Sequence, residues 1–167
     1  MTDPAEPLID HTFCISLEKI KLNNDEPIDC TIKYAYKFFF LYEARFATES
    51  FLVDCDKKWK EISESGYMEY RIPPRKKGSE IKKNLEENPL DILIYDRDVH
   101  FGTARYDLSN LMNGKAEMTD FGSRWWKKEP ILSKLDSGVE SKVGIIECNI
   151  VLKKEEWTEG KSCKDNF

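Results

Sequence analysis

Apolar side chains recur at every second position through several stretches of this chain, the pattern of strands that bury one face. Phe13, Ile15, Leu17 and Ile20 predict a first strand within 11–22, and the turn formers Asn23, Asn24, Asp25, Glu26 and Pro27 end it. Ile28, Cys30, Ile32, Tyr34 and Tyr36 mark one face of a second strand over 28–40. A third, over 43–54, carries Phe46, Phe51 and Val53. Residues 57–65 are ambiguous, because Trp59 and Ile62 fit a helical turn as well as an edge segment. Residues 66–72 alternate again, and Pro73-Pro74 are expected to end that strand. The stretch from Ser79 to Glu87 has short-helix character, and Pro89 stops it. Leu90, Ile92 and Ile94 then predict a strand, Asp96 and Asp98 a turn, and Phe101-Gly102 the start of another strand. Residues 113–141 read as a long polar connection containing Trp125-Trp126. In 142–154, Val143, Ile145, Glu147, Asn149 and Val151 oppose Gly144, Ile146, Cys148, Ile150 and Leu152.

Seven or eight short strands with scattered turns predict an all-β chain, an antiparallel β-sandwich with short helical connections. The expected organisation is a lead-in over 1–10, one β unit over 11–155 and a tail over 156–167. A length of 167 residues and 40% hydrophobic content suit one domain with a sizeable core. No apolar run approaches the roughly 18 residues that cross a bilayer, and the acidic, proline-bearing MTDPAEPLID is unlike a signal peptide. Net charge is −5 despite 34% charged residues, which argues against a nucleic-acid binder.

Cys14, Cys30, Cys55, Cys148 and Cys163 are an odd number, widely spaced, with no Cys-x-x-Cys pair, and no Asn-x-Ser/Thr sequon is present. Reduced cysteines acting as small hydrophobes, in a cytoplasmic protein, are the expectation. The P-loop, Gly-x-Ser-x-Gly, His-Glu-x-x-His and Gly-x-Gly-x-x-Gly motifs are all absent, and His11 and His100 are the only histidines. The chain therefore reads as non-catalytic, with no cofactor, and a zinc site lacks ligands at suitable spacing.

The segment from Leu90 to Leu111, LDILIYDRDVHFGTARYDLSNL, resembles the late strand, acidic loop and Gly-x-Ala strand of a C2 domain. The resemblance implies an eight-stranded antiparallel sandwich of C2 type, with Gly102 and Ala104 as fold-signature positions. Calcium-dependent members hold the metal with an Asp-x-Asp and further acids on neighbouring loops. Asp96 and Asp98 match the Asp-x-Asp, but Val99, His100, Phe101 and Gly102 follow where a third acid is needed. Asp25, Glu26, Asp29, Asp54 and Asp56 fall in no clear family spacing. Calcium prefers six to eight oxygen ligands, so a vestigial loop that caps its own turn is expected, with no metal.

HTFCISLEKI (11–20), CTIKYAYKFFF (30–40) and PLDILIYDRDVHFGTARYDLSNLM (89–112) are similar to C2 domains of centriole-assembly proteins of the procentriole-elongation pathway. Gly102, Ala104, Arg105, Leu108, Ser109, Asn110 and Leu111 carry the match, and residues 40–61 depart from it. Membership implies a calcium-independent scaffold at the centrosome and centriole, part of the cytoskeleton, with centriolar proteins and tubulin or microtubules as partners.

Between Arg71 and Lys83 lie six basic residues, Arg71, Arg75, Lys76, Lys77, Lys82 and Lys83, against the single acid Glu80. With Lys57, Lys58 and Lys60 nearby in sequence, they read either as a patch for acidic protein tails or anionic lipid, or as a solvated loop. The competing function is accordingly a membrane-targeting module that binds phospholipid through this patch. Trp125 and Trp126, neighbours on a strand, should face opposite ways. Phe38, Phe39 and Phe40 cannot all enter one core.

Overall fold

The computed structural model describes residues 8–38, 42–112, 116–119, 122–134 and 138–154, without the side chains of 8–9, 38, 42–43, 64, 73–76, 117–119 and 154. Phe39 and Phe40 lie outside these residues. Among them the chain is all-β and antiparallel, with eleven strands, short ones included. In chain order these are β1 (Leu8–Leu22), β2 (Ile28–Phe38), β3 (Tyr42–Ala47), β4 (Phe51–Val53), β5 (Lys60–Glu61), β6 (Tyr67–Lys77), β7 (Leu90–Asp96), β8 (Val99–Tyr106), β9 (Glu117–Thr119), β10 (Gly122–Lys134) and β11 (Glu140–Lys154). One helix, α1 (Gly78–Glu87), and short 3-10 turns at Glu64–Gly66 and Leu108–Leu111 join them. No described helix is long and apolar enough to cross a membrane.

The strands form one curled sheet in the order β3-β2-β7-β8-β10-β11-β1-β5, with β4 on β2, β6 on β1 and β9 on β10. β8 and β10 pair only through Thr103 and Leu132, so the sheet folds over on itself there. The alternating faces meet inside: Phe13, Ile15, Leu17, Ile146, Cys148 and Ile150 from one half face Ile32, Tyr34, Tyr36, Ile92, Ile94 and Tyr106 from the other. Phe13 stacks on Tyr36 at 5.5 Å between ring centroids, and Tyr106 meets Trp125 edge-on at 5.8 Å. The Tyr106 hydroxyl shares its proton between the Lys127 and Ile146 carbonyl oxygens, each at 2.9 Å, bonding one half to the other.

α1 closes one end of this core with Ile81 and Leu85, beside Leu108 and Leu111 of the 3-10 turn. Glu80 accepts from the Lys77 backbone N–H at 3.1 Å and satisfies a donor that the helix start leaves open. Asp107 does the same for the 3-10 turn, accepting from the Ser109 N–H at 3.1 Å.

Four expectations are corrected. β6 does not stop at Pro73-Pro74 but runs to Lys77. Among the described residues it pairs with β1 alone, and the register shifts opposite 73–75, where an edge strand needs no ladder N–H. The polar connection over 113–141 contains β9 and the 13-residue β10. Its Lys127 and Lys128 are exposed and Glu129 is half-buried, while Ser123, Trp125 and Ile131 are buried. Cys14, expected as a reduced thiol, is disulfide-bonded, whereas Cys30, Cys55 and Cys148 are free. β1 also already includes 8–10, which the sequence assigned to the lead-in.

Candidate functional site

The Asp-x-Asp turn sits at the end of the sandwich opposite α1, next to the β1–β2 connection. Asp96, the last residue of β7, accepts from the Asp29 backbone N–H through Oδ1 at 3.2 Å. Arg97 lies in the left-handed region at φ 55°, and its N–H donates to the Asp29 carbonyl at 2.8 Å. Asp96 therefore braces β7 against β2 rather than capping its own turn, and Asp98 is exposed. The earlier acids are engaged likewise: Asp54 accepts from the Cys55 N–H at 2.9 Å and Asp56 from the Lys58 N–H at 3.1 Å.

Buried Asn24 ties these loops together, its amide donating to the Glu26 carbonyl at 2.7 Å and the Asp54 carbonyl at 3.2 Å. Lys57, itself left-handed at φ 59°, brings its ammonium to 3.8 Å from Asp25. A lysine thus stands among the loop carboxylates. Among the described residues no three His, Cys, Asp or Glu side chains gather in a way that could hold a metal ion.

The basic run is spread along the far end. Arg71 pairs with Asp10 at 3.3 Å, and Lys83 with Glu87 at 3.9 Å on one face of α1. Lys82 is exposed and Lys77 half-buried, while the side chains of Arg75 and Lys76 lie outside the described residues. Lys57, Lys58 and Lys60 do not join them. β1 meets Lys77 at Leu8 but Lys60 at Ile20, which at about 3.3 Å per residue puts roughly 40 Å between the two groups.

Gly102 and Ala104 are both buried on β8, facing the core. Trp125 is buried and Trp126 is 53% exposed, the opposite facing expected. Sequence reasoning missed the role of Trp59, whose ring lies between the Lys19 and Lys128 ammonium groups at 4.8 and 5.2 Å. Only long-range strand pairing brings these three together, and Glu147 completes the group at 3.6 Å from Lys19.

Burial pushes the Cys30 thiol up to about 12, with the nearby Asp96 and Asp29 charges adding to it. Burial likewise pushes the Cys148 thiol up to about 12. Both stay protonated at neutral pH and are poor nucleophiles. His100 Nε2 lies 2.9 Å from Thr103 Oγ1 on an exposed hairpin. Among the described residues the surface offers charge and aromatic area. No protein-family model matches the chain, and no curated protein matches it either.

Proposed function

We propose that this chain is a C2-type interaction module, a non-catalytic and calcium-independent scaffold of a cytoplasmic centriole or cilium assembly protein. The observation that carries the reading is the segment 90–111. Its strand, two-residue turn, strand and 3-10 turn follow the order that the resemblance implies. Support also comes from strand length: eight of the eleven strands have six residues or more. These divide into two sets of four, β3-β2-β7-β8 and β10-β11-β1-β6. Calcium independence rests on the loop carboxylates, which accept backbone hydrogen bonds or pair with Lys57.

In this reading the basic run from Arg71 to Lys83 meets an acidic partner such as a tubulin tail. Exposed charges of this kind are screened by salt, so affinity falls steeply with ionic strength. The test compares centriolar recruitment and centriole length for the wild type, Gly102→Arg and a charge reversal of Arg75, Lys76 and Lys77. Loss with both variants is expected. Unchanged recruitment with Gly102→Arg overturns the centriolar assignment, and a silent charge reversal removes only the patch. Strong sedimentation with anionic liposomes at physiological salt, abolished by the charge reversal, would favour the phospholipid-binding module instead.

A further inference from the structure

A cleft of about 400 Å³ opens where β1 ends and β11 begins, at the opposite end of β1 from the basic run. Three lysines from three elements line it: Lys21 from β1, Lys57 from the β4–β5 connection and Lys142 from β11. The cleft is built by pairing of the first and last strands. Lys21 lies opposite Ile145 and Leu22 opposite Gly144, and the Asn23 N–H donates to the Val143 carbonyl at 2.8 Å. Gly144 lets β11 close tightly against β1 beside the cleft. A Cβ there would stand 2.5 Å from the Lys21 carbonyl oxygen and 2.9 Å from Leu22 Cδ2, so no side chain fits.

Among the described residues, the ion pair these lysines make is that of Lys57 with Asp25, whose carboxylate is 97% exposed. Water competes strongly for such a pair. Lys21 and Lys142 have no carboxylate at ion-pair distance among the described residues. Three like charges around one cleft repel one another, and they do so in a chain whose net charge is −5. An anion in the cleft would reverse the sign of that interaction.

We propose that Lys21, Lys57 and Lys142 form a binding site for a phosphate monoester, carried by a soluble molecule or by a lipid headgroup. Ammonium groups bind phosphate as mobile point charges, and three of them approaching from different elements suit the outward oxygens of one phosphate group. Val139, 60% exposed, stands three residues before Lys142, and Val99, 70% exposed, is on the hairpin at the same end. Those apolar tips are what a headgroup at a membrane surface would find beside the cleft. The site shares no residue with the basic run used above, so each proposal can fail alone.

The test uses the full chain with two probes: inositol 1,4,5-trisphosphate by calorimetry, and phosphatidylcholine vesicles containing phosphatidylinositol 4,5-bisphosphate by flotation. Lys21→Gln and Lys142→Gln should each weaken binding about tenfold, with the melting temperature unchanged. Lys82→Gln/Lys83→Gln on α1 should bind as the wild type does. Binding of the soluble probe alone assigns the site to soluble phosphates, and binding of vesicles alone assigns it to a headgroup. Binding of neither probe, wild-type affinity in the Lys21 and Lys142 variants, or an equal loss in the α1 variant overturns the proposal.

Discussion

Gly102→Ala tests how tightly the two halves of the sheet are held where β8 meets β10. A methyl group at this position would stand 2.6 Å from Ile131 Cγ2, 3.0 Å from Val143 Cγ2 and 3.2 Å from the Leu132 carbonyl oxygen. Carbon atoms are comfortable at about 3.5–4.0 Å, so the two strands must part by about 1 Å or Ile131 must turn. Ile131 is fully buried and cannot swing into solvent. Inserting a methylene into such a core costs about 1–3 kcal/mol. At about 2–4 °C per kcal/mol for a chain of this size, the melting temperature should fall by about 2–12 °C. Ile131→Ala alone should cost about 2–5 kcal/mol by leaving a cavity. Combined, the two should cost less than their sum by about 1 kcal/mol or more, because the new methyl group enters the space vacated. Gly78→Ala is the control, with no atom within 4 Å of its added carbon. Denaturant melts of the wild type, the two single variants, the double variant and the control decide the matter. Strict additivity, or a Gly102→Ala midpoint equal to that of the wild type, would refute the reasoning.

Tyr106→Phe should lose about 1–2 kcal/mol in urea unfolding, because two buried carbonyls lose their shared donor; an unchanged midpoint counts against that bridge. Calcium at millimolar concentration should leave the melting temperature in place, whereas a rise abolished by Asp96→Asn would mean that the loop binds the ion. The raised thiols give a signed pH dependence. Unfolded cysteines ionise from about 9 and the folded Cys30 and Cys148 only near 12. Their contribution is complete below pH 9 and lost as pH rises toward 12, so stability should fall across that window and Cys30→Ala should flatten the slope. At pH 8 a thiol reagent should label Cys55 in the native protein, with Cys30 and Cys148 reacting only on unfolding; rapid native labelling of either buried thiol contradicts the burial.

Strands whose apolar face enters the core were legible because the period-2 pattern and the buried face coincide, as in Phe13, Ile15 and Leu17. The predicted third strand breaks into β3 and β4 at Thr48 for a reason invisible to pattern. The Thr48 hydroxyl accepts from the Ile32 N–H at 3.0 Å, a side chain taking the place of a ladder carbonyl. β10 is hidden by the polar run Lys127-Lys128-Glu129-Pro130, of which Lys127, Lys128 and Pro130 are exposed and need not be apolar. The hairpin at 96–99 was read correctly as a turn, yet the partner of Asp96 lies on β2, far along the chain. Sequence proximity misled for the lysines, since Lys57 and Lys77 stand at opposite ends of β1. The three-lysine cleft needs β1 beside β11, and no local signal announces that pairing.

That pairing also sets a timetable. Over Glu140–Lys154, β11 lies between β10 and β1, touching the first strand along nearly its whole length. A nascent chain that has reached only Lys134 presents β1 and β10 with their shared neighbour missing, and the apolar faces of both exposed. Contacts so distant in sequence form late and slowly. Maturation on the ribosome therefore waits for β11, and a chaperone has the longest opportunity to engage the inward faces of β1 and β10 just before β11 emerges.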